Sequence, residues 1–117
     1  MKTTLPWSRL SRDHEHLASF PDLDLMHDSI SLRMYDAVKR GAERAFLRAA
    51  QLRVPLLLLH GAEDSVTSVD ATREFYAAAG AKDKTLAIFP GMLHETHNEV
   101  DREQVLVAIS DWVEARL

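Results

Sequence analysis

The sequence contains no cysteine. Disulfides, thiol catalysis and cysteine-ligated zinc are therefore excluded, and a cytoplasmic location is the expectation. Glycine is scarce. Gly41, Gly61, Gly80 and Gly91 are the only ones, and no two stand four apart. A Gly-x-Ser-x-Gly elbow, which lifts a nucleophilic serine off the end of a strand, cannot be placed anywhere in these 117 residues. Basic charge is not in excess: 14 Lys and Arg stand against 18 Asp and Glu, for a net charge of −4. Nucleic-acid binding thus has no electrostatic support. Long apolar runs are missing too. The strongest, Val54 to Leu59, is far below the roughly 20 residues that cross a bilayer. Lys2, Arg9 and Arg12 stand among polar residues near the start, with no apolar signal-peptide core.

What is present fits one small globular domain. Hydrophobic residues make up 46% and charged residues 27%, an ordinary balance. In residues 1 to about 30 only one short helix is expected, capped by Ser11 or Asp13 and ended by Pro21. From Ser31 to Leu52 the apolar period is helical: Leu32, Tyr35, Val38, Ala42, Ala45, Phe46 and Ala49 form one stripe. Ser29 or Ser31 is the expected cap, and Gly41 is a point where the helix can kink or divide. Arg40, Arg44 and Arg48 make a basic row that reads as a solvated face. Pro55 ends the helix by restricting the residue before it.

Val54-Pro55-Leu56-Leu57-Leu58-Leu59-His60-Gly61 follows. A strand apolar on both faces belongs in a parallel sheet covered by helices on each side. Thr67 and Asp70 suggest a capping box for a helix carrying Ala71, Phe75, Ala78 and Ala79, with Gly80 as its stop. A second strand is expected over residues 84–89. Asp101 and Gln104 then open a helix with the stripe Val105, Ile109, Trp112 and Val113, and Arg116 suits its dipole. The order strand, helix, strand, helix gives an α/β class with one parallel βαβ unit. Two strands leave an open edge that invites association.

The first strand runs into Ala62-Glu63-Asp64. The second runs into Pro90-Gly91-Met92-Leu93-His94-Glu95, with His94 thirty positions after Asp64. An acid and then a histidine after successive strands is the tail of the chain order serine, acid, histidine. Either residue alone is more simply a turn or surface residue; together at matching strand ends they point to a catalytic pair. Glu63 is the rival acid, one position early. His60-Gly61 has the look of an oxyanion-loop dipeptide, but no elbow strand follows it. His94-Glu95-Thr96-His97 is one residue short of a metalloprotease helix motif, because Asn98 stands where histidine is needed. His14, His16, His94 and His97 suit only adventitious zinc.

The stretch from about Ser11 to Leu117 resembles the C-terminal half of α/β-hydrolases of the bacterial monoacylglycerol lipase and lysophospholipase type. The resemblance rests on residues 53–64, on Lys82-Asp83-Lys84-Thr85-Leu86, and on Phe89-Pro90-Gly91-Met92-Leu93-His94-Glu95 followed by Asn98-Glu99. It implies a partial α/β-hydrolase fold. The parallel βαβ unit would hold the last two sheet strands, preceded by cap-type helices and closed by a C-terminal helix. Residues 1–52 would be the cap-type helical segment and connecting helix, and residues 53–117 the C-terminal βαβα portion of the core. It implies Asp64 as triad acid and His94 as triad base, no metal or organic cofactor, and a monoacylglycerol-like ester as substrate of the complete enzyme. Leu23, Leu25, Met26 and Met34 would line an acyl channel by the same analogy, although ordinary packing is the simpler reading. The expected partner is the missing N-terminal half, or a second copy through the open strand edge. The rival is a non-enzymatic oligomerising or interaction module built from the same truncated fold.

Overall fold

The computed structural model describes residue 2, residues 6–19 and residues 29–117. Its centre is a parallel pair, β1 (Leu56–Gly61) and β2 (Lys84–Phe89), in the register Leu56↔Lys84 through Gly61↔Phe89. Among the described residues four α-helices accompany it: α1 (His14–Ala18), α2 (Leu32–Arg48), α3 (Val69–Ala78) and α4 (Arg102–Glu114). α3 is the crossover between the strands, as expected for a βαβ unit.

Side chains alternate across the sheet. Leu59, Ala87 and Phe89 pack with Val105, Ala108 and Ile109 of α4 around the buried Met92. Trp112 of α4 donates to Thr85 Oγ1 on the same side, at 3.2 Å. On the other face Leu58 and His60 share a groove with Ala71, Thr72 and Phe75 of α3, and His60 Nδ1 lies 2.8 Å from the Thr72 hydroxyl. Both faces are thus covered, which is why the strand sequence shows no polar alternation. The core is small. Met92 and Val105 are fully buried, each contributing about 1.5–3 kcal/mol. Leu56 to Leu59 are only half-buried, because β1 has one neighbouring strand among the described residues.

Several local expectations are corrected. α2 crosses Gly41 without a break. Good helix formers on either side outweigh the single glycine penalty. α2 also stops at Arg48, and residues 49–51 tighten into a 3-10 turn before Pro55. Most of its apolar stripe does not enter a core: Leu32, Tyr35 and Val38 are exposed, while Ala49, at the end of the stripe, is buried. Phe46 packs edge-on to Phe75 of α3 at 5.5 Å.

The α3 cap is Ser68, whose side chain accepts from Ala71 N–H, and not Thr67. Thr67 is drawn away by the stronger bond its hydroxyl makes to an ionised carboxylate. Asp101 sits at the α4 cap position but caps nothing with its side chain; Arg12 takes it at 2.9 Å. Asp13, whose Oδ1 accepts from His16 N–H, and not Ser11, caps α1. Ser31, not Ser29, caps α2. Pro21, Leu23, Leu25 and Met26 lie outside the described residues.

Gly80 does follow α3, yet it is not left-handed. A side chain there would collide with the Ala50 carbonyl. Gly61 is constrained more severely, since a Cβ would strike the Met92 and Leu93 carbonyls. Gly41 has open space around it. Urea unfolding should separate these cases. Gly41→Ala is expected to raise stability by about 1 kcal/mol, and Gly61→Ala to lower it by about 2 kcal/mol or more. Equal effects at both positions would contradict the packing described.

Candidate active site

Parallel pairing brings both strand exits to one rim. Backbone bonds then tie the two exits together: Ala62 N–H donates to Phe89 O at 2.9 Å and Glu63 N–H to Met92 O at 3.0 Å. Gly91, at φ +75°, turns the chain after Pro90 in a conformation that other residues resist. Asp64 and His94 leave these turns toward each other. His94 Nδ1 lies 2.9 Å from Asp64 Oδ2. Glu63 is exposed and takes no part.

The carboxylate is well enclosed. Its side chain is 2% exposed. Oδ1 accepts from Val66 N–H at 2.7 Å and Thr67 N–H at 3.1 Å. Oδ2 accepts from the Thr67 hydroxyl at 2.7 Å as well as facing His94. His60 Nε2 also lies 3.0 Å from Oδ2. Burial pushes the Asp64 carboxyl up. The hydrogen bonds from His94, from the Thr67 hydroxyl, and from the Thr67 and Val66 amides overcome that cost and hold it below the usual carboxylate range. A fixed anion against Nδ1 selects the imidazole tautomer with its proton there. That leaves Nε2 to act as base. The His94 side chain is 34% exposed, and its Nε2 takes no hydrogen bond among the described residues.

The histidine loop has its own anchor in the N-terminal segment. Glu99 is fully buried. Its Oε1 accepts from Leu93 N–H at 2.7 Å, next to the histidine. Its Oε2 accepts from Arg12 N–H at 3.2 Å and Arg12 Nε at 3.0 Å. Glu95 N–H donates to Leu10 O, and the Ser11 hydroxyl donates to Asn98 O, both at 2.8 Å. Beyond them His16 Nε2 lies 3.3 Å from Glu95 Oε2. Residues 10–16 therefore brace the turn that presents His94.

Thr67 follows Asp64 at the spacing of a local side-chain-to-backbone turn, a signal the sequence carries. His60, Thr72 and the Glu99–Arg12 contact are not legible without tertiary placement. Residues 96–98 form a 3-10 turn, not a metal-binding helix, and His97 is exposed. No group of three or more histidine or acidic side chains among the described residues could hold a metal. None of the described helices is long and apolar enough to cross a membrane.

Residues 2–101 match the family model described as Serine aminopeptidase, S33. The chain is 36% identical over 107 residues to a putative monoglyceride lipase of Schizosaccharomyces pombe, covering 89% of this chain and 28% of that protein. It is 28% identical over 116 residues to a monoacylglycerol lipase of Mycolicibacterium smegmatis, covering 92% of this chain and 39% of that one. The crystal structure of the Paleococcus ferrophilus monoacylglycerol lipase superposes with a TM-score of 0.92 at 29% identity, over all of this chain and 46% of the other. A monoglyceride lipase variant from Saccharomyces cerevisiae, at 19% identity and a TM-score of 0.81, shares the fold. The chain thus spans less than half the length of each of these relatives.

The lowered Asp64 value has a pH consequence. A carboxylate with a depressed folded value stabilises the fold fully above its ordinary value, here 3.8, and loses that contribution as pH falls toward the folded value. The stability gap between the protein and Asp64→Asn should therefore narrow from about pH 5 to about pH 3, as read by urea unfolding. A gap independent of pH would contradict the ionised, multiply bonded carboxylate.

Proposed function

From the premise that this chain belongs to the serine aminopeptidase S33 family of α/β-hydrolases, we propose that it is the C-terminal part of a serine hydrolase acting on carboxylic esters of the monoacylglycerol type. Asp64 is the triad acid and His94 the base. Residues 1–52 correspond to the cap-type segment and connecting helix, and residues 53–117 to the end of the hydrolase core. The observation that carries the reading is the 2.9 Å approach of His94 Nδ1 to a buried, ionised Asp64 at the rim of two parallel strands. The lipase names of the relatives support the substrate class.

In this reading His94 Nε2 takes the proton of an incoming serine and returns it to the leaving alkoxide. Asp64 holds the ring in position and stabilises the imidazolium. The nucleophile and the oxyanion donors come from sequence outside this chain, because no Gly-x-Ser-x-Gly stands within it. That missing part seats on the open edge of β1 and the exposed stripe of α2. The short chain by itself performs no acyl transfer, since a base without a nucleophile cannot form the acyl intermediate.

Two measurements test this together. A fluorophosphonate probe should label no serine of the isolated chain. Adding a polypeptide with the preceding strands and a Gly-x-Ser-x-Gly elbow should restore ester hydrolysis. Asp64→Asn or His94→Ala should then lower kcat by about four orders of magnitude. Labelling of the isolated chain that depends on His94 would overturn the proposal, as would complemented activity indifferent to both substitutions.

A further inference from the structure

The contact between Asp64 and His60 has no place in a two-residue account of the pair. His60 is the penultimate residue of β1, and its side chain points to the α3 face, 10% exposed. An imidazole so enclosed needs partners at both nitrogens. Nδ1 lies 2.8 Å from the Thr72 hydroxyl on α3. Nε2 lies 3.0 Å from Asp64 Oδ2 and 3.4 Å from Thr67 Oγ1. The Thr67 proton is already given to Asp64. Nε2 therefore faces two oxygens with no proton to offer it, and must carry its own. In the neutral ring Nδ1 then accepts from Thr72. His94 has its proton on Nδ1, aimed at the same carboxylate oxygen. Two histidines in opposite tautomers thus face one carboxylate oxygen, His94 by a hydrogen bond and His60 by close approach.

We propose that His60 is a positioning residue for the Asp64–His94 pair, with Thr72 fixing its tautomer so that the Nε2–H dipole, within hydrogen-bond reach of Thr67 Oγ1, sits 3.0 Å from the carboxylate oxygen that His94 uses. The inference rests on the paired-site reading above. His60 acts through Asp64 and touches no reacting atom. Its polar contact offsets the burial of the carboxylate, and so keeps Oδ2 where His94 needs it. A mere spacer of similar size would leave Oδ2 beside an apolar surface, from which an ionised group turns away.

Long-range 1H–15N correlation spectra of the full chain, at a pH above the ordinary histidine range, report which nitrogen of each ring is protonated. The wild type should show His60 as Nε2–H and His94 as Nδ1–H. Thr72→Val should turn His60 into a mixture of tautomers. His60→Leu should shift His94 from its Nδ1–H form toward Nε2–H. His60→Gln, whose amide can donate to Oδ2, should restore the Nδ1–H form. A wild-type His60 protonated on Nδ1 alone overturns the proposal even where His60→Leu does not fold. So does a His94 that stays Nδ1–H in His60→Leu while the fold persists. In both cases the paired site stands. A wild-type His94 without Nδ1–H sinks the paired-site reading itself, and His60 with it.

Discussion

The site depends on the lacing of two strand exits. Ala62 and Glu63 donate their amides to Phe89 and Met92, and Gly61 lies so close to the Met92 and Leu93 carbonyls that no side chain fits between. This is a backbone constraint, independent of the acid and the histidine. It follows from parallel pairing in register, Gly61 opposite Phe89. Once it holds, residues three positions beyond each glycine come within hydrogen-bond reach. The chemistry is then a matter of which side chains occupy those positions. An acid at 64 is trapped by its own turn amides and by Thr67, and a histidine at 94 is aimed by the Glu99 bond to its neighbour.

Much of this was legible in the sequence for stated physical reasons. An unbroken leucine run predicts a strand covered on both faces, and α3 and α4 cover those faces. The turn glycines and the acid-to-histidine spacing locate the pair. The helix caps were harder. Thr67 and Asp101 have good capping chemistry, but each is claimed by a stronger ionic partner, Asp64 and Arg12 respectively. Propensity has no access to such competition. The clamp on the histidine loop was also invisible, because Arg12 and Glu99 are 87 positions apart. In the sequence His60 is the end of a strand or half of an oxyanion-like dipeptide, and it takes the placement of α3 to bring Thr72 against it.

The apolar stripe of α2 marks the other boundary of sequence reasoning. A helical period predicts a buried face, yet Leu32, Tyr35 and Val38 stay in solvent. The pattern states what the helix is built to pack against, not whether that surface lies within the same stretch of chain. A groove of about 310 Å³ between α2, β1 and α3 continues the same apolar surface toward His60 and Thr67. β1 has a neighbour on one edge only among the described residues. These features agree with the superposition on less than half of a longer fold.

The most direct check is an isotope-edited NOESY spectrum of the full chain. The account predicts cross-peaks between the His94 ring protons and the Asp64 β-protons, alongside backbone contacts that place Leu58 opposite Leu86 in a parallel ladder. Well-dispersed spectra with an antiparallel ladder, or with those two side chains at opposite ends of the strands, would contradict it.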